Sequence, residues 1–308
     1  MAYRLSIDAG PTESLRRTAR EELDDAVAQL SERFGDEPVE AVHEARKDVK
    51  KTRALLRLAR SGLGTKAYRR ENGALRDAAG HLSGTRDNDV MIATVEKLAE
   101  HGVGRVPESA FTTLRDRFAT AAEASRNGSG GDGVVATAES ELRAVAARIE
   151  AWPLERCTWA TVVGDATRAY ERGRRELARA EKAPTVEQLH AWRKRVKDLW
   201  YHQRLLAEAW PEVLEAQAEA AHVLSELLGD DHDLAVLAER LQEEGGAAAG
   251  LIEGDEVRDL VEHRRLQLQD AAFRLGRRIY AEPVTAFSAR LEHYVDAAAE
   301  EGALAGRA

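Results

Sequence analysis

The sequence repeats itself. A shift of 147 residues lays Val39 and Glu40 on Val186 and Glu187, His43 on His190, and Arg46 and Lys47 on Arg193 and Lys194. The same shift matches Val49 and Lys50 with Val196 and Lys197, and Arg57 and Leu58 with Arg204 and Leu205. Further on, a shift of 146 places Leu82–Val90 on Leu228–Val236. Two matched segments, in the same order and at nearly one offset, predict an internal duplication. Each half would be a helical bundle, the two starting near residues 12 and 159.

The fold class follows from periodicity. Apolar residues recur at three- and four-residue spacing almost throughout, the mark of helix after helix. The spacing predicts helices over 12–34, 39–60, 66–82, 88–101 and 108–127 in the first half. Helices over 135–150, 158–182, 186–208, 212–228, 233–244, 255–280 and 284–302 follow. Thr12 and Thr185 suit helix starts. Pro38, Pro107, Pro184, Pro211 and Pro283 fall between helices or in first turns, where a missing N–H does no harm. Alanine, arginine, leucine and glutamate dominate and only 5% of residues are aromatic, which agrees with an all-α chain. The glycine-rich tract Asn127–Gly133 reads as a flexible linker between a first repeat of about 5–127 and a second of about 135–302. Gly245–Gly250 is a second soft spot.

A single cysteine, Cys157, excludes an internal disulfide framework and a multi-cysteine zinc site. The N-terminus does not read as a secretory signal, and no stretch approaches the roughly 18 apolar residues of a membrane span. A cytoplasmic protein without a membrane partner is expected.

Charge is distributed unevenly. The net charge is −9, yet His43–Arg60 carries seven Lys/Arg against two acids, and His190–Arg204 carries five against one. On a helix, His43, Arg46, Lys47, Lys50, Arg53 and Arg57 share an arc of about 120°. Val42, Ala45, Val49, Leu56 and Ala59 form the apolar stripe of the same helix. The second half repeats the arrangement. His190, Arg193, Lys194, Lys197 and Arg204 are its basic arc, and Leu189, Trp192, Val196 and Leu206 its apolar one. Arg195 lies off the arc. Such rows are electrostatically unfavourable without a counter-ion, and a polyanion along them would remove the repulsion and add charge-assisted hydrogen bonds. A linear phosphate chain suits a linear row of arginine forks and lysine point charges. A merely solvated helix face is the plain alternative, weakened by the repetition of the pattern in an acidic chain.

The pattern His43-x-x-Arg46-Lys47-x-x-Lys50-Lys51-x-Arg53-x-x-Leu56-Arg57, with its weaker copy from His190 to Lys197, resembles the motif of the CHAD (conserved histidine α-helical) family. The segment Leu82-x-x-x-Arg86-Asp87-x-Asp89-Val90 is similar to that family's helix junction. The resemblance implies two pseudo-symmetric four-helix-bundle-like repeats enclosing a basic groove or pore. It also implies binding of inorganic polyphosphate, often at polyphosphate granules. On that basis the binding residues are His43, Arg46, Lys47, Lys50, Lys51, Arg53, Arg57, Arg69, Arg70, Arg86, His190, Arg193, Lys194, Lys197, Tyr201 and Arg204. The second copy departs from the pattern, with Asp198 and Trp200 at the positions of Lys51 and Arg53, so the first half should dominate. Tyr201 could bond a phosphate or simply pack. His43 and His190 could donate to phosphate or fix a helix contact.

Asp230, Asp231, His232 and Asp233 could hold a divalent ion for a phosphohydrolase. Acids at a helix start more often cap it. No Gly-rich phosphate loop is present, and no histidine near Cys157 suggests a nucleophile. A nucleic-acid binder is disfavoured by the low aromatic content and the acidic remainder. The expectation is a non-enzymatic binder without metal or cofactor.

Overall fold

The computed structural model describes residues 3–82, 87–128, 131–243 and 254–305. Among them are eleven α-helices and no strand, so the all-α expectation holds. The helices are α1 (Pro11–Ala28), α2 (Pro38–Leu58), α3 (Arg60–His81), α4 (Asp87–Gly102), α5 (Glu108–Gly128) and α6 (Gly131–Ala146). After a connection that holds a short 3-10 turn (Ile149–Ala151) come α7 (Trp159–Lys182), α8 (Val186–Leu205), α9 (Pro211–Gln242), α10 (Gly254–Ile279) and α11 (Val284–Ala305). No helix of the described residues is long and apolar enough to cross a membrane.

Local chemistry sets the ends. Pro11, Pro38 and Pro211 occupy first turns, where the missing N–H is an orphan in any case. Thr158 and Thr161 cap α7 reciprocally, and the Thr185 hydroxyl accepts from the Gln188 amide at the start of α8. Thr12 is not a cap: it sits inside the first turn of α1, and its hydroxyl donates to the Leu154 carbonyl (2.8 Å). Gly64, at φ 72°, breaks the first turn of α3 from the rest of that helix.

One boundary differs. The helices expected over 212–228 and 233–244 are a single helix, α9, of 32 residues and about 48 Å. The Gly229-Asp230-Asp231 run reads locally as a break and helix start. Its carboxylates are occupied elsewhere, Asp230 with Lys97 (2.8 Å) and Asp231 with Arg265 (3.1 Å) and Gln269 (2.8 Å). They do not compete for backbone N–H groups, and Leu228, Leu234, Leu237 and Leu241 keep the buried stripe continuous.

The apolar stripes find their places. Val42, Ala45, Val49, Leu56 and Ala59 of the α2 segment are all buried, as are Leu189, Trp192, Val196 and Leu206 around α8. A large core joins α1, α2, α3, α6, α7, α8 and α11 with the N-terminal part of α9. A smaller core joins α4 and α5 to the C-terminal part of α9 and the N-terminal part of α10. Each core therefore draws on both halves of the sequence, and α9 runs through both. Helix α6 lies C-terminal to much of the Asn127–Gly133 tract, yet it packs on α1 and α3 by burying Val135, Ala138, Leu142 and Val145. Residues 129 and 130 of that tract, and all of Gly245–Gly250, lie outside the described residues.

Candidate anion-binding site

The two helices carrying the duplicated motif, α2 and α8, pack against each other. Two contacts fasten them. His202 Nε2 meets the Ala54 carbonyl at 3.1 Å, and Arg57 Nε lies 2.7 Å from Asp198 Oδ1. Asp198 is only 2% exposed, so a buried carboxylate meets a partly buried guanidinium at the crossing.

The crossing brings cations from both copies together. Lys197 on α8 is driven down to about 8 by burial and then by the charges of Arg193 and of Lys50 across on α2. Asp233 and Glu226 offset this only in part. Among the described residues no carboxylate forms an ion pair with Lys197. Lys50 and Lys194 are exposed, and Arg193 lies along Gly229, with Nε 3.4 Å from the Ser225 carbonyl. A Cβ at position 229 would stand 2.7 Å from the Arg193 guanidinium, so a larger residue there would displace that guanidinium.

Other members of the first row have structural partners. Arg46 Nη1 donates to the Leu82 carbonyl (2.6 Å) at the end of α3. Lys47 pairs with Glu44 (2.9 Å), and His43 Nε2 lies 3.7 Å from the same carboxylate. Arg53 Nε donates to Asn72 (3.2 Å). Arg69 is exposed, and Arg70 pairs with the fully buried Glu71, which Arg148 also holds (2.8 Å). Arg86 lies outside the described residues.

Two expected ligand residues point into the fold instead. The Lys51 ammonium is clamped between Glu22 (2.9 Å) and Asp48 (2.8 Å), both nearly inaccessible. Its place off the basic arc turns it into the α1–α2 contact, where burial pushes the Glu22 carboxyl up to about 7. Tyr201 is 5% exposed, stacked on Trp200 (centroids 4.5 Å) and edge-on to Tyr3 (5.9 Å), and it fills the core. Arg204 lies over the rings of Tyr3 (5.3 Å) and Trp200 (5.5 Å).

His190 stacks on His232 of α9 at 4.5 Å. Burial, then His232, Lys194 and Arg193, lower it to about 4, so it is neutral at pH 7. His43 instead lines a cavity of about 550 Å³ between α2, α4 and α9, with Lys97, His101, Asp230 and Asp233. The acids of the Asp230–Asp233 run do not form one cluster: Asp230, paired with Lys97, and Asp233 line the cavity, whereas Asp231 turns to Arg265 of α10. No group of three or more His, Cys, Asp or Glu among the described residues could hold a metal ion.

Helix-face reasoning missed two arginines. Arg195, off the basic arc, pairs with Asp198 at 3.1 Å, and Arg172 of α7 stands beside the same carboxylate. Neither belongs to the repeated motif, and only the docking of α7 on α8 places Arg172 there.

An all-helical protein with two packed basic helices is the class these observations define. The chain belongs to the CHAD family: the family's domain model matches residues 17–242, from within α1 to the end of α9. No curated protein matches the chain.

The buried contact between α2 and α8 carries a pH signature. His202 is 1% exposed and held at about 4, mainly by burial. The unfolded chain takes up this proton near pH 6.5 and the fold resists it, so stability falls as pH drops from about 6.5 to about 4. A shift of this size corresponds to about 3 kcal/mol. His202→Gln keeps a donor for the Ala54 carbonyl and removes the titration. Urea unfolding at pH 7.5 and 4.5 should show the wild type losing about 2–3 kcal/mol more than the variant on acidification. Equal losses would show that His202 does not resist protonation in the fold.

Proposed function

We propose that this chain binds inorganic polyphosphate without turning it over, along the paired basic faces of α2 and α8. The observation that carries the reading is the convergence of Lys50, Arg193 and Lys197 from the two motif copies, with Lys197 half-desolvated among cations. Like charges brought together in a partly buried place repel one another, and a polyanion relieves the repulsion while accepting charge-assisted hydrogen bonds. Membership of the CHAD family is consistent with this ligand. In the same reading the two halves act as pseudo-symmetric repeats around one basic groove or pore. The chain works in the cytoplasm, where polyphosphate granules are a natural location.

Calorimetry with medium-chain polyphosphate at two salt concentrations tests the proposal, with duplex DNA and orthophosphate as comparators. Tight binding that weakens in salt and exceeds binding to DNA is expected. Equal affinity for DNA, or no binding at low salt, would sink the reading. Release of orthophosphate on incubation with a divalent ion would mark an enzyme instead.

A further inference from the structure

We infer that the cavity between α7, α8, α9, α10 and α11 binds a small organic acid, one with an apolar body, a single carboxylate and an N–H donor. The cavity measures about 470 Å³, and none of its lining residues belongs to the two basic rows. The inference therefore does not rest on the polyphosphate reading.

Gln203 marks the site. The shift of 147 residues lays it on Leu56, which is fully buried, so the second copy puts an amide where the first has an aliphatic side chain. Gln203 is itself only 6% exposed, and its Nε2 donates to Gln217 Oε1 of α9 (3.2 Å). Its own Oε1 is shielded from solvent and has no hydrogen-bond partner among the described residues. Burying an amide with one end unsatisfied is unfavourable, and a donor carried into the cavity by a ligand would complete it.

The other walls supply shape and charge. Leu275 and Ile279 of α10 face the short side chains Ala216 and Ala220 of α9, which gives an apolar lining with room for a ligand body. Phe287 of α11 stacks on Tyr170 of α7 (centroids 4.0 Å). The Tyr170 hydroxyl donates to the Glu282 carbonyl (2.9 Å) and so fixes the turn from α10 to α11. Arg290 holds the Glu282 carboxylate through Nε (3.1 Å) and Nη2 (2.8 Å), while its Nη1 is shielded and has no partner among the described residues. Arg278, also on the lining, is exposed and pairs with no carboxylate among the described residues.

Two arginines against Glu282 leave the lining at +1 (2 − 1). That charge suits one carboxylate, whose oxygens match an arginine fork, rather than a multiply charged phosphate chain. The unpartnered acceptor on Gln203 and donor on Arg290 call for a donor and an acceptor on the same molecule. A cavity of this size, mostly apolar with a few placed polar groups, has the make-up of a small-molecule site.

Calorimetry of the full chain with indole-3-acetate tests the inference. Naphthalene-1-acetate, which lacks the N–H, and tryptamine, which carries the opposite charge, are the comparators. The wild type should bind indole-3-acetate with a Kd below about 1 mM, about 5-fold or more tighter than naphthalene-1-acetate, and should not bind tryptamine. Gln203→Leu restores the residue of the first copy and should bind the two acids within about 2-fold of each other. Arg278→Gln should weaken indole-3-acetate by about 10-fold and leave urea unfolding unchanged, and it keeps the test if Gln203→Leu does not fold. No binding of indole-3-acetate at millimolar concentration, equal binding of tryptamine, or equal wild-type affinity for the two acids would overturn the site. So would a preference for the N–H that survives in Gln203→Leu, or undiminished binding by Arg278→Gln. Displacement of indole-3-acetate by polyphosphate would also overturn it, by placing the probe on the basic faces.

Discussion

Replacing Lys50 and Lys197 together with glutamine is expected to weaken polyphosphate binding by about 100-fold at low salt, from about 1.5 kcal/mol or more for each charge-assisted contact. The two lysines come from different motif copies and meet only because α2 and α8 are packed. The double change therefore removes charge from both faces at the point where they converge. Its effect on folding should have the opposite sign. Lys197 is held down to about 8 by burial and by Arg193 and Lys50, so its charge opposes the fold at neutral pH. The variant should unfold at a urea concentration equal to or above that of wild type. The salt dependence of binding should also flatten, because fewer cations remain to be screened. Calorimetry at two salt concentrations and a urea titration check all three expectations. Unchanged affinity would remove the α2–α8 crossing from the binding surface, and a large loss of stability would make the two lysines structural.

Asp198→Ala should behave in the reverse way, costing about 3–5 kcal/mol of stability as one member of a buried ion-pair network. Asp198 is 2% exposed and faces Arg57 and Arg195, with Arg172 nearby. Its removal leaves three partly desolvated guanidinium groups without a counter-charge at the seam between the two halves of the chain. Chemical unfolding measures the loss, and a cost below about 1 kcal/mol would show that water reaches these arginines freely. Arg195 is consequently no inert reference for the basic faces, although its position off the arc suggests one. Arg195→Ala would loosen Asp198, and Arg46→Ala would release the Leu82 carbonyl at the end of α3.

Much of the fold is legible in the chain because helical periodicity is local. The stripe Val42, Ala45, Val49, Leu56 repeats at the spacing of one helix face, and these residues are buried as that spacing requires. The rule fails at Asp230, where a run rich in aspartate looks like a helix start. The reason is not local: Lys97 of α4 and Arg265 of α10 occupy those carboxylates and let α9 continue. The candidate site divides in the same way. The order of His43, Arg46, Lys50 and Arg53 along one arc can be read directly, but what each side chain meets cannot. Lys51 differs from Lys50 by a single residue, or about 100° of rotation, and that step carries it from solvent to Glu22.

By itself, then, the sequence determined the all-α class, the approximate position of nearly every helix, the buried stripes and the two basic rows. Each depends on residues within a turn or two of one another. Tertiary structure alone decided that the rows converge at Lys50 and Lys197, that Lys51 and Tyr201 serve the core, and that Arg172 and Arg195 join Arg57 around one aspartate. A charge's role depends on the charges and solvent around it, and here those neighbours come from helices as far apart in the chain as α1, α2, α7 and α8.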